Sequence, residues 1–190
     1  MHTMSDELLV EKIKDGDKYS FNILVWKWEK QIYNLAIRML RSEEDASDTC
    51  QDVFITAYEK IDTFRGNSKF STWLYRIAVN KCISKLRHKK VENKHRDNNA
   101  FDQDLINEYG VAPENESTLI KKQLNDRINK SMQSLPEEQK TILELKIFQE
   151  LSFEEIAKII GVPIGTAKSR MHYALRKIRE DLKDINMLSF

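Results

Sequence analysis

Between Phe21 and Met39 the residues Phe21, Leu24, Trp28, Ile32, Leu35, Ala36 and Met39 recur three and four positions apart. That is the spacing of one face of an α-helix, and it cannot belong to a strand, whose faces alternate every second residue. The pattern predicts a helix over about Tyr19–Arg41. Ser42 then reads as an N-cap, with Glu43, Glu44 and Asp45 in the first turn of a second helix carrying Ala46, Val53, Phe54, Ala57 and Ile61. Phe64 to Ser71 is a polar loop with one glycine, and Ser71-Thr72 is placed to cap a third helix through Trp73, Leu74, Ile77, Ala78, Cys82 and Leu86. Five Gly and three Pro in 190 residues are too few for a turn-rich β-sandwich or a Gly-loop nucleotide fold. The expected class is all-α. Val91 to Ser117 is polar, acidic and aperiodic, with Asn98-Asn99, Gly110 and Pro113, and helical spacing resumes at about Thr118. Two small helical domains joined by a flexible acidic linker follow from that break.

Several function classes drop out on composition. Cys50 and Cys82 form no C-x-x-C pair, so neither a disulfide scaffold nor a Cys-rich zinc site is expected. His2, His88, His95 and His172 show no ligand spacing of the H-E-x-x-H kind, and no metal, cofactor or catalytic residue is expected. No apolar run approaches the ~20 residues that span a bilayer, so no membrane insertion is expected. The first residues lack a basic segment followed by an apolar core, which predicts no signal peptide and a cytoplasmic location.

The 31 basic and 30 acidic residues nearly cancel, but they are segregated. Glu43 to Asp62 holds seven acids against Lys60. Arg76 to Arg96 reverses the balance, with Arg76, Lys81, Lys85, Arg87, Lys89, Lys90, Lys94 and Arg96 against Glu92. Asp97 to Thr118 is acidic without a single Lys or Arg, and the last third ends basic. Blocks of opposite sign suit separate surfaces for separate partners; solvated helix faces of differing sign are the plainer reading.

Near the C-terminus, Ser152-Phe153-Glu154-Glu155 is a capping box, in which hydroxyl and carboxylate satisfy free N–H groups at a helix start. The short helix ends at Gly161, and Pro163 suits the first turn of the next one. There Ile164, Ala167, Met171, Ala174, Leu175 and Ile178 make an apolar stripe. The opposite face carries Gly165, Thr166, Ser169, His172, Tyr173 and Arg176, flanked by Lys168 and Arg170. Two short helices, a tight turn and a basic outer face describe a helix-turn-helix, whose second helix enters a DNA major groove. An ordinary helical hairpin is the alternative.

The segment Phe64 to Asn80 gathers aromatics, hydroxyls and amides around a loop and then opens a strongly basic helix. Single-stranded nucleic acid is held by that combination, bases in pockets and cations along the phosphates. Phe70 and Trp73 serve either such a pocket or the packing between helices.

With Asp45 to Phe54, Leu135-Pro136 and Gly161 to Arg170, this segment resembles bacterial extracytoplasmic-function (ECF) RNA polymerase sigma factors, over about Tyr19 to Leu182 and in the family's order. The resemblance implies a polymerase-binding and minus-ten domain over 1–95, a linker over 96–117 and a minus-thirty-five domain over 118–190. It implies that Asp48, Gln51, Asp52, Val53 and Phe54 dock on the clamp helices of the polymerase largest subunit. It further implies that Asn67, Ser68, Lys69, Phe70, Ser71, Thr72, Trp73, Arg76, Asn80, Lys81, Lys85 and Arg87 capture and hold the minus-ten strand. Thr166, Lys168, Ser169, Arg170, His172, Tyr173 and Arg176 would read the minus-thirty-five duplex. Core polymerase (clamp helices and flap region), promoter DNA, both duplex and single-stranded, and an anti-sigma factor are the implied partners. The acidic linker would screen the basic stretch in the free chain. An autonomous helix-turn-helix regulator, a metal-dependent nuclease using Asp45 to Asp52, and a protein-only adaptor are the competing readings. The regulator leaves Phe64 to Asn80 without a role, the nuclease lacks His ligands, and the adaptor does not need a basic helix-turn-helix.

Overall fold

The structure, a computed structural model, describes residues 4–95 and 127–183. The linker expected at 96–117, with its screening role, and the resumption of helix at Thr118 lie outside these residues. Among the described residues every regular element is helical, and the chain divides into two compact units.

The first unit opens with a helix that apolar spacing alone did not reveal, α1 (Asp6–Lys14). Nine residues are too few to be helical in isolation; tertiary contacts hold this one. Leu9, Val10 and Ile13 are buried, and the Asp6 carboxylate accepts from Lys27 Nζ (2.6 Å) and Trp28 Nε1 (3.2 Å). Asp17 caps α2 (Lys18–Leu40) by accepting from the N–H groups of Tyr19 and Ser20. Leu24, Ile32, Leu35 and Ala36 form its buried face, as the spacing predicts, while Phe21, Trp28 and Met39 are partly covered. Ser42 caps α3 (Glu43–Lys60) by accepting from Asp45 N–H, again as expected. A single 3-10 turn (Ile61–Thr63) leads to the loop before α4 (Phe70–His95).

Two boundaries of α4 differ from expectation. It begins at Phe70, the Lys69 carbonyl accepting from Trp73 N–H (3.3 Å), so Ser71 and Thr72 lie inside the first turn and do not cap it. It also runs past Val91 to His95. α2, α3 and α4 enclose Ala36, Leu40, Ala46 and Cys82. Cys50 is buried too, and desolvation, with Glu29 close by, pushes its thiol up to about 11.

In the second unit, helix α5 covers 127–134, and α6 (Glu137–Leu143) continues into one turn of π-helix (Glu144–Phe148). Next along the chain come α7 (Phe153–Ile160) and α8 (Ile164–Leu182), the second of which belongs to this unit. The capping box is realised in full: Glu155 N–H donates to Ser152 Oγ (3.2 Å) and Ser152 N–H to Glu155 Oε2 (3.0 Å). Gly161 ends α7 at φ +70, a left-handed conformation that costs a residue with a Cβ about 1–2 kcal/mol. α6 lies on α8, with Leu135, Leu143 and Ala174 buried between them and Met171 and Ile178 packed around. Ser131 Oγ ties α5 to Asp181 at 2.7 Å. The expected apolar stripe of α8 is narrower than read. Ala167 and Ala174 are buried, but Ile164 and Leu175 are 41% and 44% exposed. At ~100° per residue both stand about 60–80° around the helix from Ala167, beyond the strip that α6 covers.

Candidate nucleic-acid interface

α4 carries its polar side chains in two rows. At ~100° per residue Arg76, Asn80 and Arg87 fall within about 40° of one another, and Lys81, Lys85 and Lys89 centre roughly 160° away. The first row is exposed. The second faces α3, where Lys81 pairs with Asp52 (3.7 Å), Lys85 with Asp48 (3.5 Å) and Asp45 (3.1 Å), and Lys89 with Asp45. The set of minus-ten residues read from sequence is therefore not one surface; Lys81 and Lys85 stand apart from Arg76, Asn80 and Arg87.

Asp45 anchors the paired row, its side chain only 12% exposed. Burial pushes the carboxyl up, but hydrogen bonds from Lys89 and Lys85 outweigh this and hold it below its ordinary 3.8. Lys85 is correspondingly raised, its own desolvation outweighed by Asp45 and Asp48. A carboxyl lowered by folding adds stability that is complete above its unfolded pKa and lost as pH falls through the folded value. Asp45→Asn is expected to cost about 1–2 kcal/mol at pH 7, since both lysines can turn to water once the acid is gone. It is also expected to flatten the loss of stability below about pH 4. Urea unfolding at pH 7 and pH 3 checks both; equal losses at the two pH values would reject the role given to Asp45.

The outer face of α3 needs one correction. Asp48, Gln51 and Asp52 are exposed, but Val53 and Phe54 are 0% and 8% exposed and belong to the core. Ile55, 57% exposed, is the apolar group beside the acids. The spacing held this signal: Asp48, Asp52, Ile55 and Glu59 stand four, three and four apart, one helical face.

The loop before α4 is organised by rings. Phe64 and Phe70 meet edge to face at 5.9 Å, and Trp73 lies 5.6 and 5.8 Å from them. Phe70 is 1% exposed and Thr72 3%, so both are packing residues and neither presents a surface for a base. Phe70 is the first residue of α4 and its ring turns inward to fill the cluster. Trp73 is half-buried, Asn67 and Lys69 are exposed, and Ser68 and Ser71 partly so. The outcome is an aromatic base with a polar rim.

On α8, Lys168, Ser169, His172, Tyr173 and Arg176 are exposed and Thr166 partly so. The Arg176 guanidinium lies over the Tyr173 ring at 5.1 Å and reaches Glu180 at 3.8 Å, which orders a side chain otherwise free to swing. Arg170 is different: its guanidinium is bound to Glu138 of α6 at 2.5 Å, on the flank of α8. Nothing in the spacing of α8 marks Arg170 out, since its partner lies 32 positions earlier. Among the described residues no three His, Cys, Asp or Glu side chains gather as metal ligands, and no helix is long and apolar enough to cross a membrane.

Two separate family models match the chain. Residues 24–91 match sigma-70 region 2, and residues 131–180 match sigma-70 region 4. Over 182 residues the chain is 36% identical to the ECF RNA polymerase sigma factor SigW of Bacillus subtilis, covering 93% of this chain and 96% of that one. The chain belongs to the ECF family of RNA polymerase sigma factors. A second relative is the ECF sigma-E factor of Escherichia coli, 34% identical over 92% of this chain and 93% of its own. Among solved structures, the sigma factor RpoE of Bartonella quintana, in complex with the anti-sigma factor NepR, matches with a TM-score of 0.68. It is 25% identical and covers 86% of this chain and 96% of that one. CnrH, solved with the cytosolic domain of CnrY, shares the fold at 19% identity and a TM-score of 0.69, covering 95% and 99%. As an ECF sigma factor the chain works in transcription initiation, joining core RNA polymerase and directing it to promoter DNA.

Proposed function

We propose that the unit within 1–95 docks on core polymerase and opens the minus-ten element, that 96–117 is the tether, and that the unit within 118–190 reads the minus-thirty-five element. The observation that carries this is the continuity of the polar loop rim with the exposed row of α4. Asn67, Ser68 and Lys69 stand immediately before α4, and Trp73 in its first turn falls within about 60° of Arg76, Asn80 and Arg87 at ~100° per residue. A base lifted from the duplex sits among the hydroxyls and amides of the rim, over the half-buried Trp73. The cations of the row follow the phosphates beyond it. No hydrolysis is required, because extruding a base costs only a few kcal/mol, which binding to the rim and the row can offset; the chain has no catalytic role of its own. Docking on the polymerase clamp helices falls to Asp48, Gln51, Asp52 and Ile55.

On the duplex side, Thr166, Lys168, Ser169, His172, Tyr173 and Arg176 face the groove, Arg176 already aligned by Tyr173. A bidentate contact to a base is worth about 1–3 kcal/mol of discrimination. The second unit also meets the flap region of polymerase. A tether of about 20 residues reaches roughly 65 Å at ~3.3 Å each, near two turns of DNA. Two modest sites so joined select promoters in which both elements are correctly spaced. An anti-sigma factor covering the docking surfaces, as NepR accompanies RpoE, is the expected regulator, and the cytoplasm the expected place of action.

Run-off transcription tests the reading. Core polymerase with this chain is expected to start at discrete promoters that core alone ignores. Specific duplex binding that needs no polymerase, with no run-off product, would instead make the chain an autonomous regulator.

A further inference from the structure

The lysine row of α4 has a sign pattern that does not suit a DNA strand. Lys81, Lys85 and Lys89 stand against Asp45, Asp48 and Asp52, so the ladder has no net charge. Asp48 and Asp52 remain 63% and 61% exposed beside lysines that are 38%, 32% and 43% exposed. A phosphate approaching any of these lysines meets a carboxylate within 4 Å of it, which cancels the attraction. A strand held by Arg76, Asn80 and Arg87 also runs on the far side of the helix, roughly 160° away. A protein surface has neither difficulty, because its own acids and bases can interleave with the ladder.

We infer that Lys81, Lys85 and Lys89 belong to the polymerase-docking face and not to the DNA track, so that the partner surface presents anions to this row beside cations facing Asp48 and Asp52. This rests on the docking role proposed above for Asp48 and Asp52. The face is then a mixed-charge band formed by α3 and α4 together, with Ile55 at its edge. A uniformly basic partner would meet the lysines as readily as the acids and dock poorly. Specificity for a patterned partner is the gain.

The test uses the full chain in two assays, a salt titration of binding to single-stranded DNA and equilibrium binding to core polymerase. Lys89 is left in place so that Asp45 stays paired. For K81Q/K85Q the slope of log affinity against log salt is expected to stay unchanged, while affinity for core polymerase falls about fivefold to tenfold. R76Q/R87Q removes the same charge and is expected to give the opposite result, a slope shallower by about 1.4, or ~0.7 for each phosphate no longer neutralised, with polymerase affinity kept. K81R/K85R restores polymerase binding if charge is what matters. A slope shallower by about 1.4 in K81Q/K85Q, or unchanged polymerase affinity, overturns the inference. D48N/D52N separates the two levels: full polymerase affinity in that variant removes the docking reading itself, whatever the lysines do on DNA.

Discussion

Phe70→Ala is expected to destabilise the first unit by about 3–5 kcal/mol, the range for deleting a buried aromatic. Phe70 is 1% exposed and its ring touches both Phe64 and Trp73, so the deletion removes ring packing and leaves a cavity that a half-buried Trp73 fills incompletely. Total stability for a domain is about 5–15 kcal/mol, so one ring is a large share of it. At roughly 4–8 °C per kcal/mol for a unit of this size, the melting temperature is expected to fall by more than about 12 °C. The loss reaches function by a second route. Phe70 opens α4 directly after the polar rim, so its removal loosens Asn67 to Lys69 even where the unit stays folded, and minus-ten binding falls further than stability alone explains. Phe70→Leu, which keeps much of the volume, separates the two effects. A melting shift below about 4 °C for the alanine variant would falsify the packing role.

Leu143→Ala is expected to cost about 2–5 kcal/mol in the second unit. Leu143 is wholly buried, and with Leu135 and Ala174 it fills the contact between α6 and α8. The described part of this unit is short, and small domains bury too little surface to lose much of it. Helical stability in a folded protein comes mostly from packing of an amphipathic face, and α6 supplies that packing for α8. Binding to minus-thirty-five duplex in the polymerase complex is therefore expected to disappear together with the helical signal of the unit. Leu143→Met, close to isosteric, should cost less than about 1.5 kcal/mol and keep binding. Loss of duplex binding in both variants, with stability intact, would point to a direct role for α6 on DNA.

Most of the architecture was legible because helices advertise themselves through period and punctuation. Ser42, the Ser152–Glu155 box and Gly161 all stand where residue type alone placed them. α1 was not legible, since its nine residues are secured by Asp6 reaching to Lys27 and Trp28 on α2, a contact that no local pattern encodes. The site was harder for a different reason. Residue type says what a side chain can bind, but its direction depends on which neighbour covers the helix. Val53, Phe54 and Ile55 are consecutive and alike in chemistry, yet only Ile55 turns outward. Likewise Arg170 looks as suitable for DNA as Lys168 until Glu138 claims it. The lysine ladder was half visible: acids at 45, 48 and 52 and lysines at 81, 85 and 89 both keep helical spacing, but pairing the rows required knowing that α3 and α4 are neighbours.

The buried thiols bear on how this chain can be watched at work. At pH 7 a thiol whose pKa is about 11, as for Cys50, is ionised in about one molecule in 10⁴, and Cys82 is completely enclosed. Both native sulfurs are therefore expected to react with maleimide dyes far more slowly than an exposed thiol. A cysteine introduced on an exposed rim or docking position can carry a fluorophore with Cys50 and Cys82 left in place, so the core need not be disturbed to follow strand capture in real time.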